Sequence, residues 1–250
     1  MKLIVNADDY GLWKHNSRAI AEAMNKGLIT DTTMMATGEW FNEAVALAKK
    51  EGFDDRIGIH FNLTEGEPLT EKMKNCPMFV ENGKFHKHPD RLHPLTKEEE
   101  EAVYAELSAQ VKKIKDAGID ITHADSHHHI HTGPFLIQTF LLVCQDEGIE
   151  KIRLHRNFGI IPFYKKIIKK HFNKNLFREG MKTTDYFGSL EDALGCGLPD
   201  GITELMVHPD YDKDGILIDR VEFDDGIPAG DPLSRLEKFS GEERITYRSL

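Results

Sequence analysis

A short internal stretch of the sequence concentrates the side chains that bind metal ions. Residues 122–131 read THADSHHHIH, so five of the ten are histidine and one is aspartate. Buried imidazoles lose their water and need other partners, and histidine is the commonest protein ligand of divalent metals. The apolar residues Ile119 and Ile121 lead into the stretch, which is internal and unlike a terminal purification tag. It therefore predicts a metal centre.

The spacing within this stretch allows two local geometries. In an extended chain, alternate side chains share one face. These are His123, Asp125, His127, His129 and His131. In a chain that turns helical after Ser126, His127 and His131 stack one turn apart instead. Either geometry brings several ligand atoms together. The competing interpretation is a solvated loop that binds metal by accident. It is disfavoured because the apolar residues Ile119 and Ile121 precede the stretch.

Side chains capable of acid–base or metal chemistry also lie at the ends of other predicted strands. They are Asp8 and Asp9 after the first strand, His60 in the third, Arg153 and His155 in the fifth, and His208 in the seventh. Taken singly, each has a plainer interpretation, such as a helix cap, a core histidine or a structural ion pair. In parallel α/β folds, however, the carboxyl ends of the strands meet at one edge, where active sites form. Their joint placement predicts an active site there, and a cation would relieve the repulsion between Asp8 and Asp9.

The elements that must position these residues alternate between strand and helix. Seven apolar or β-branched runs predict strands at residues 3–5, 32–36, 57–63, 119–125, 151–155, 183–187 and 203–209. Between them fall helical patterns, including a capped helix start at Thr96 with Glu99 three residues on. A helix at 164–172 is expected to turn a lysine-rich face to solvent, and a last helix is predicted at 231–239. This alternation favours a parallel sheet, either an incomplete barrel or a doubly wound sheet, in a single domain of residues 1–250.

The alternation breaks at residues 64–95, an insertion of mixed composition. Within it, Asn82-Gly83 between Phe79 and Phe85 predicts a β-hairpin, because Asn-Gly suits a type I′ turn. Long insertions in compact folds are usually functional or disordered. We expect this one to cover the active site or to form a dimer surface. In the second case the protein would be a homodimer, which is the predicted oligomeric state.

Composition narrows the classes of partner. The chain has 250 residues, 40% of them hydrophobic, and a formal charge of −10, which argues against nucleic-acid or anionic-membrane partners. Its three cysteines form no CxxC pair, so a disulfide framework or thiolate zinc site is not expected. The N-terminal residues lack the apolar core of a signal peptide, and no run approaches the ~20 apolar residues of a membrane span. We therefore expect a soluble, cytoplasmic protein.

Four motifs resemble those of the YdjC/ChbG-type carbohydrate deacetylases. They are NADDYG at 6–11, GIHFNLT at 58–64, the histidine stretch at 122–131, and MVHP at 206–209. The resemblance implies a single-domain α/β fold, an incomplete, seven-stranded (β/α) barrel related to the polysaccharide deacetylases. It also implies a hydrolase that removes acetyl groups from N-acetylated sugars, such as chitooligosaccharides, and releases acetate and an amino sugar.

The resemblance also implies roles for individual residues. Asp9, His60 and His127 would hold the metal, Asp8 would be the general base, and His208 the general acid. Arg153 resembles the arginine that orients the base in the wider deacetylase group. Asp125, His129, His131 and Tyr10 would bind substrate or orient the ligands, with Tyr10 standing where many members have phenylalanine.

The identity of the metal is open at this level. The family expectation is one Mg²⁺ ion. Magnesium prefers oxygen ligands, however, whereas two imidazoles and one carboxylate suit Zn²⁺, Mn²⁺, iron or cobalt better. The resemblance thus favours Mg²⁺, whereas the ligand types favour Zn²⁺ or Mn²⁺.

Three other functions compete with the deacetylase interpretation. A metal-dependent phosphoesterase on a similar barrel would favour further basic residues, and the chain offers only Arg153 and Arg156 near the predicted site. A non-catalytic metal- or sugar-binding protein would keep the ligands and lack activity. A plain α/β scaffold with structural histidines would bind no stoichiometric metal.

Overall fold

A curled parallel sheet forms the core of the protein in the computed structural model, which describes residues 1–224 and 226–250. Across the sheet the strands are β6 (Ala124–Ser126), β3 (Ile57–Phe61), β2 (Asp31–Met34), β1 (Lys2–Tyr10), β8 (Ile202–Val207) and β7 (Tyr186–Ser189), and β12 (Glu243–Arg244) also pairs with β1. Every strand pair in this sheet is parallel. β1 is central and buried from Leu3 onward, which explains its unbroken apolar start.

Helices alternate with these strands. They are α1 (Lys14–Asn25), α2 (Phe41–Glu51), α3 (Glu71–Lys74), α4 (Lys97–Asp116), α5 (Ile137–Asp146), α6 (Phe163–Arg178) and α7 (Leu190–Cys196). The predicted start of α4 is confirmed, because the Thr96 hydroxyl accepts from the Glu99 amide and the Glu99 carboxylate accepts from the Thr96 amide. The curled sheet makes a half-barrel, which confirms the incomplete (β/α) barrel. Among the described helices, none has the length and apolar character to cross a bilayer.

The first strand runs on to Tyr10 and the sixth lies at Tyr186–Ser189, and two other predicted strands differ more from the observed ones. The fourth begins only at Ala124, and residues 151–155 form no strand. Lys151 pairs with Lys182 and Ile152 with Ala124 only through isolated bridges. The chain leaves the ladder after Arg153, because the backbone amide and carbonyl of His155 hydrogen-bond the Asn173 side chain instead of a neighbouring strand. The seventh strand of the observed sheet is instead β12.

The segment after β8 is more regular than its turn-rich sequence predicts. Its strands β9 (Pro209–Tyr211), β10 (Leu217–Asp224) and β11 (Ile227–Pro232) form an antiparallel sheet. The helix predicted at 231–239 is wrong in type and start, because β11 runs to Pro232 and a 3₁₀ segment occupies Leu233–Phe239. The lysine-rich helix α6 also exposes apolar side chains, Phe163 and Ile167 among them.

The insertion at 64–95 contains α3 and the predicted hairpin. Its strands β4 (Val80–Glu81) and β5 (Lys84–Phe85) are antiparallel. Asn82 and Gly83 between them both have positive φ, 52° and 79°, as a type I′ turn requires. The buried carboxylate of Glu106 in α4 accepts hydrogen bonds from the Leu69 and Thr70 amides, which fixes the insertion to the barrel.

Tyr247 links the barrel interior to the last described segment. Its ring stacks on His123 with centroids 3.6 Å apart, and its hydroxyl donates to the Glu204 carboxylate. Glu204 also accepts from Arg153 Nε at 2.8 Å. Burial raises the pKa of Glu204 to about 7, against the opposing effects of Arg153 and the Tyr247 hydroxyl.

We expect Tyr247→Phe to lower the free energy of unfolding by about 1–3 kcal/mol, because it leaves a buried carboxylate oxygen without its donor. Urea denaturation followed by circular dichroism measures this change. The matched control is Tyr164→Phe, since Tyr164 is 63% exposed and its hydroxyl is free of such a partner among the described residues. Equal stability of Tyr247→Phe and the wild type would contradict the expectation.

Candidate metal centre and active site

Asp8 and Asp9 reach the same cavity because β1 is irregular at its end. Consecutive strand residues point to opposite faces of a sheet, yet both carboxylates line one cavity of about 270 Å³. The β1–β2 register shifts between Ala7 and Tyr10, and Asp9 has φ of 70°, a conformation that aspartate tolerates better than most residues. The Asn16 side chain supports this turn by donating to the Asp9 carbonyl at 2.8 Å.

Three predicted ligands converge in this cavity. Asp9 Oδ1 lies 3.2 Å from His60 Nε2 and 2.7 Å from His127 Nδ1, and one donor atom from each residue lies within 4.8 Å of the others. All three side chains are buried. A carboxylate and two imidazoles in this arrangement fit a single divalent cation, which would replace the contacts that they make with one another.

His60 is oriented by a second carboxylate. Its Nδ1 lies 2.6 Å from Asp125 Oδ1, so the Asp125 carboxylate holds the ring with Nε2 toward Asp9. Such a carboxylate–histidine pair is typical of metal ligands. Burial opposes a charge on His60, but Asp125, Asp9 and Asp8 outweigh it and raise its pKa to about 10. A positive charge on His60 offsets part of the negative charge of these three carboxylates.

The histidine stretch adopts neither of the two predicted geometries throughout. β6 ends at Ser126, and residues 127–132 form a 3₁₀ segment in which His128 and His129 have left-handed φ of 51° and 52°. This turn brings His127, His128 and His129 to the cavity. Burial, with the charge of Arg153, lowers the pKa of His129 to about 3, so His129 is a neutral hydrogen-bonding group at neutral pH.

Asp8 is held by Arg153. Arg153 Nη1 donates to Asp8 Oδ2 at 2.6 Å and Nη2 donates to Asp8 Oδ1 at 2.7 Å, while Asn6 Nδ2 donates to Oδ1 at 2.9 Å. Burial opposes ionisation of Asp8, but Arg153 outweighs it and lowers the Asp8 pKa well below its usual range. Arg153 is itself fully buried and also pairs with Asp125 and Glu204. We call it the arginine hub.

His208 lies on the cavity wall formed by the end of β8 and by β10. Its backbone amide donates to Asp219 Oδ1 at 2.7 Å, and its half-buried side chain lines the cavity with Arg220 and Val221 of β10. It thus belongs to a different wall from His127 and His129, which leave β6. A substrate in the cavity would contact both groups.

Four predicted positions lie outside the cavity or behind it. The Tyr10 hydroxyl donates to the Ala44 carbonyl at 2.8 Å, and its ring packs against Phe53, because the pleat turns it toward α2. His131 Nδ1 lies 2.5 Å from Ser126 Oγ, and its ring stacks on Phe140. Neither Tyr10 nor His131 is among the residues that line the cavity.

The other two positions are Asp125 and His155. Asp125 lies behind His60, where it orients that ligand without lining the cavity. His155 packs edge-on against Phe172, away from the metal ligands.

Two residues that contact the proposed metal ligands were not predicted from the sequence. Arg220 Nη2 donates to Asp9 Oδ2 at 3.0 Å, so it holds the oxygen that the histidines leave free. It comes from β10, in a segment that the sequence presents as turns. Glu65 Oε2 lies 3.1 Å from His127 Nε2. Glu65 could have been predicted from the sequence, because it follows the third predicted strand by two residues.

Comparisons with known proteins show the family to which the chain belongs. The model of a family described as YdjC-like protein matches residues 2–239. A carbohydrate deacetylase of Brevibacillus brevis is 31% identical over 221 residues, covering 87% of this chain and 84% of that protein. One of Halalkalibacterium halodurans is 33% identical over 216 residues, covering 84% of this chain and 86% of that protein.

A solved structure shares the fold. It is the crystal structure of an Enterococcus faecalis V583 protein named for cellobiose-phosphate cleavage, which superposes with a TM-score of 0.69. The two chains are 22% identical, and the match covers 99% of this chain and 98% of the other. At this identity the likeness extends to the fold alone.

Proposed function

Because the chain belongs to the YdjC-like protein family, we propose that it is a metal-dependent hydrolase that removes acetyl groups from N-acetylated sugars. The chain is a carbohydrate deacetylase, as are its curated relatives at about 30% identity. The substrate of the proposal is an N-acetylated oligosaccharide, and its products are acetate and an amino sugar. One observation carries the proposal: Asp9, His60 and His127 converge beside a carboxylate, Asp8, that the arginine hub keeps ionised.

The proposed ligands are Asp9 Oδ1, His60 and His127. A divalent ion held there would lower the pKa of water and polarise the acetyl carbonyl. The family expectation for this ion is Mg²⁺, and the donor types favour Zn²⁺ or Mn²⁺. Arg220 orients Asp9 through its Oδ2 from the cavity side, and Asp125 orients His60 through its Nδ1 from behind.

Asp8 is the proposed general base. Among the described residues, Arg153 alone donates a hydrogen bond to its Oδ2. Because a carboxylate oxygen has two lone pairs, Oδ2 can take a proton from the attacking water. The low pKa of Asp8 keeps this oxygen in its proton-accepting form, although it makes Asp8 a weak base. The new C–O bond forms as the proton moves to Asp8.

His208 is the proposed general acid. When the C–N bond of the acetamide breaks, the leaving amine needs a proton, which His208, lining the cavity at the end of β8, would supply. We expect His208→Asn to lower kcat by roughly 10²–10⁴-fold with little change in metal content. The measurement is acetate release from N-acetylglucosamine oligomers, with His171→Asn, an exposed histidine on α6, as the matched control.

A second substrate separates proton donation from other effects of His208. Aryl acetates have leaving groups that depart without a proton, so His208→Asn should retain most of its activity on them. If both substrates lose activity equally, His208 acts in some other way, and the general-acid assignment fails.

Acetate and phosphate release assayed side by side test the proposed reaction. A phosphoesterase needs cations that are free to bind phosphate. Here Arg153 is engaged by three carboxylates and Arg156 by Asp192. Arg220, which lines the cavity, is engaged by Asp9 and Asp210. We expect acetate from N-acetylated sugars and no phosphate from sugar phosphates. Phosphate release alone would overturn the proposal.

A further inference from the structure

An aromatic groove opens next to the catalytic cavity. It has a volume of about 460 Å³ and is lined by Trp13, Lys14, His15, Glu39, Trp40 and Phe223. The two tryptophans are partly exposed, and Phe223 is 47% exposed. Burying aromatic rings is favourable, so a protein that leaves several of them at one surface has a surface suited to an apolar partner face.

The groove adjoins the cavity at Arg220. The Arg220 guanidinium lies 5.4 Å from the Trp13 ring and 5.0 Å from the Phe223 ring, and the same group donates to Asp9 Oδ2. Trp13 follows Asp9 on the connection that leaves β1, and Phe223 is two residues after the cavity residue Val221. A single side chain therefore separates the aromatic rings from a proposed metal ligand.

The sizes of the two spaces suggest what occupies the groove. The cavity, at about 270 Å³, is smaller than the roughly 300–1,000 Å³ of typical ligand sites. A substrate longer than one sugar ring must extend beyond it. Pyranose rings carry C–H groups on their faces, which aromatic π-faces attract, and hydroxyls at their edges, which Lys14, His15 and Glu39 can hydrogen-bond.

We propose that the aromatic groove of Trp13, Trp40 and Phe223 binds the sugar residue next to the one that is deacetylated. The inference rests on the proposed function and adds a specificity-determining site to it. This site makes the protein prefer a disaccharide or longer chain to a monosaccharide. It also places the choice of chain length at the N-terminal ends of α1 and α2 and on β10.

The chain offers a direct readout of binding. Trp13 and Trp40 are its only two tryptophans, so intrinsic tryptophan fluorescence reports on the groove alone. We expect N,N′-diacetylchitobiose to change this fluorescence saturably in the Asp8→Asn protein, which should not turn it over. N-acetylglucosamine should change it at concentrations about tenfold higher or not at all.

Two groove variants separate ring stacking from folding. Phe223→Leu keeps an apolar side chain beside Arg220 and removes the ring, and Trp40→Phe keeps a smaller ring. We expect Phe223→Leu to weaken disaccharide binding about tenfold and to raise KM for the disaccharide by the same factor. Its kcat/KM for the monosaccharide should stay at the wild-type value. Phe163→Leu, on the exposed face of α6, is the matched control.

The outcomes distinguish this inference from the proposed function. Disaccharide-dependent fluorescence without acetate release would support the groove and overturn the deacetylase proposal for that sugar. Equal effects of Phe223→Leu on monosaccharide and disaccharide, or no effect on either, would overturn the groove. A change in sedimentation of Trp40→Phe with unaltered sugar binding would also overturn it, since the groove would then be an interface between two copies.

Discussion

Replacing Asp8 by asparagine should abolish most deacetylase activity while leaving the metal in place. Asparagine has the shape of aspartate but no lone pair of comparable basicity, so the attacking water loses its proton acceptor. General-base catalysis contributes roughly 10²–10⁴-fold, and kcat should fall by that factor. The metal content should remain one ion per chain, because the proposed ligands are Asp9, His60 and His127.

The controls for this variant address charge and folding. Asp8→Asn leaves Arg153 with two carboxylates, Asp125 and Glu204, so the buried guanidinium stays compensated and the barrel should still fold. Asp120→Asn removes an exposed carboxylate and should have wild-type kcat. Substantial activity in a folded Asp8→Asn protein would show that another group is the base. An inactive wild type with bound metal would point to a binding protein instead.

Removing the metal should have a comparable or larger effect. Stabilisation of charge on the acetyl oxygen by a divalent ion is worth several kcal/mol, so dialysis against a chelator should lower kcat by about 10³-fold or more. Adding back Mg²⁺, Mn²⁺ or Zn²⁺ separately should restore it. The ion that restores most activity at the lowest concentration decides between the family expectation and the donor chemistry.

His60→Gln tests the ligand set independently of a chelator. Loss of one of three ligands should leave less than one metal ion per chain by elemental analysis, with activity falling in proportion. His88→Gln is a suitable control, because His88 lies in the insertion at 64–95 and belongs to none of the potential metal-binding groups among the described residues. A metal-free protein with full activity would refute the metal centre altogether.

The sequence predicts those site residues well that the parallel sheet itself positions. Asp8, Asp9, His60 and His208 lie at or near strand ends, and the strands of a parallel sheet deliver such residues to one edge. The order of the strands matters little for this inference. It therefore holds even though residues 151–155 form only isolated bridges.

The rest of the site depends on geometry that periodicity does not encode. The left-handed φ of His128 and His129 separates neighbouring histidines, so that His129 reaches the cavity and His131 packs behind it against Phe140. Arg220 arrives from an antiparallel sheet that follows the alternating part of the chain. Its contact with Asp9 joins residues 211 positions apart, and no local pattern signals such a contact.

The contacts of the arginine hub couple the stability of the fold to its catalytic activity. Arg153 supports the proposed base through Asp8, a ligand through Asp125, and the barrel floor through Glu204 and Tyr247. Laboratory evolution toward heat resistance therefore has little freedom at these positions, because a single replacement strands a buried charge and disturbs the chemistry together. Substitutions that raise stability should accumulate on the outer helices instead. A substitution of Arg153 should appear only together with a second one that restores the charge balance around it.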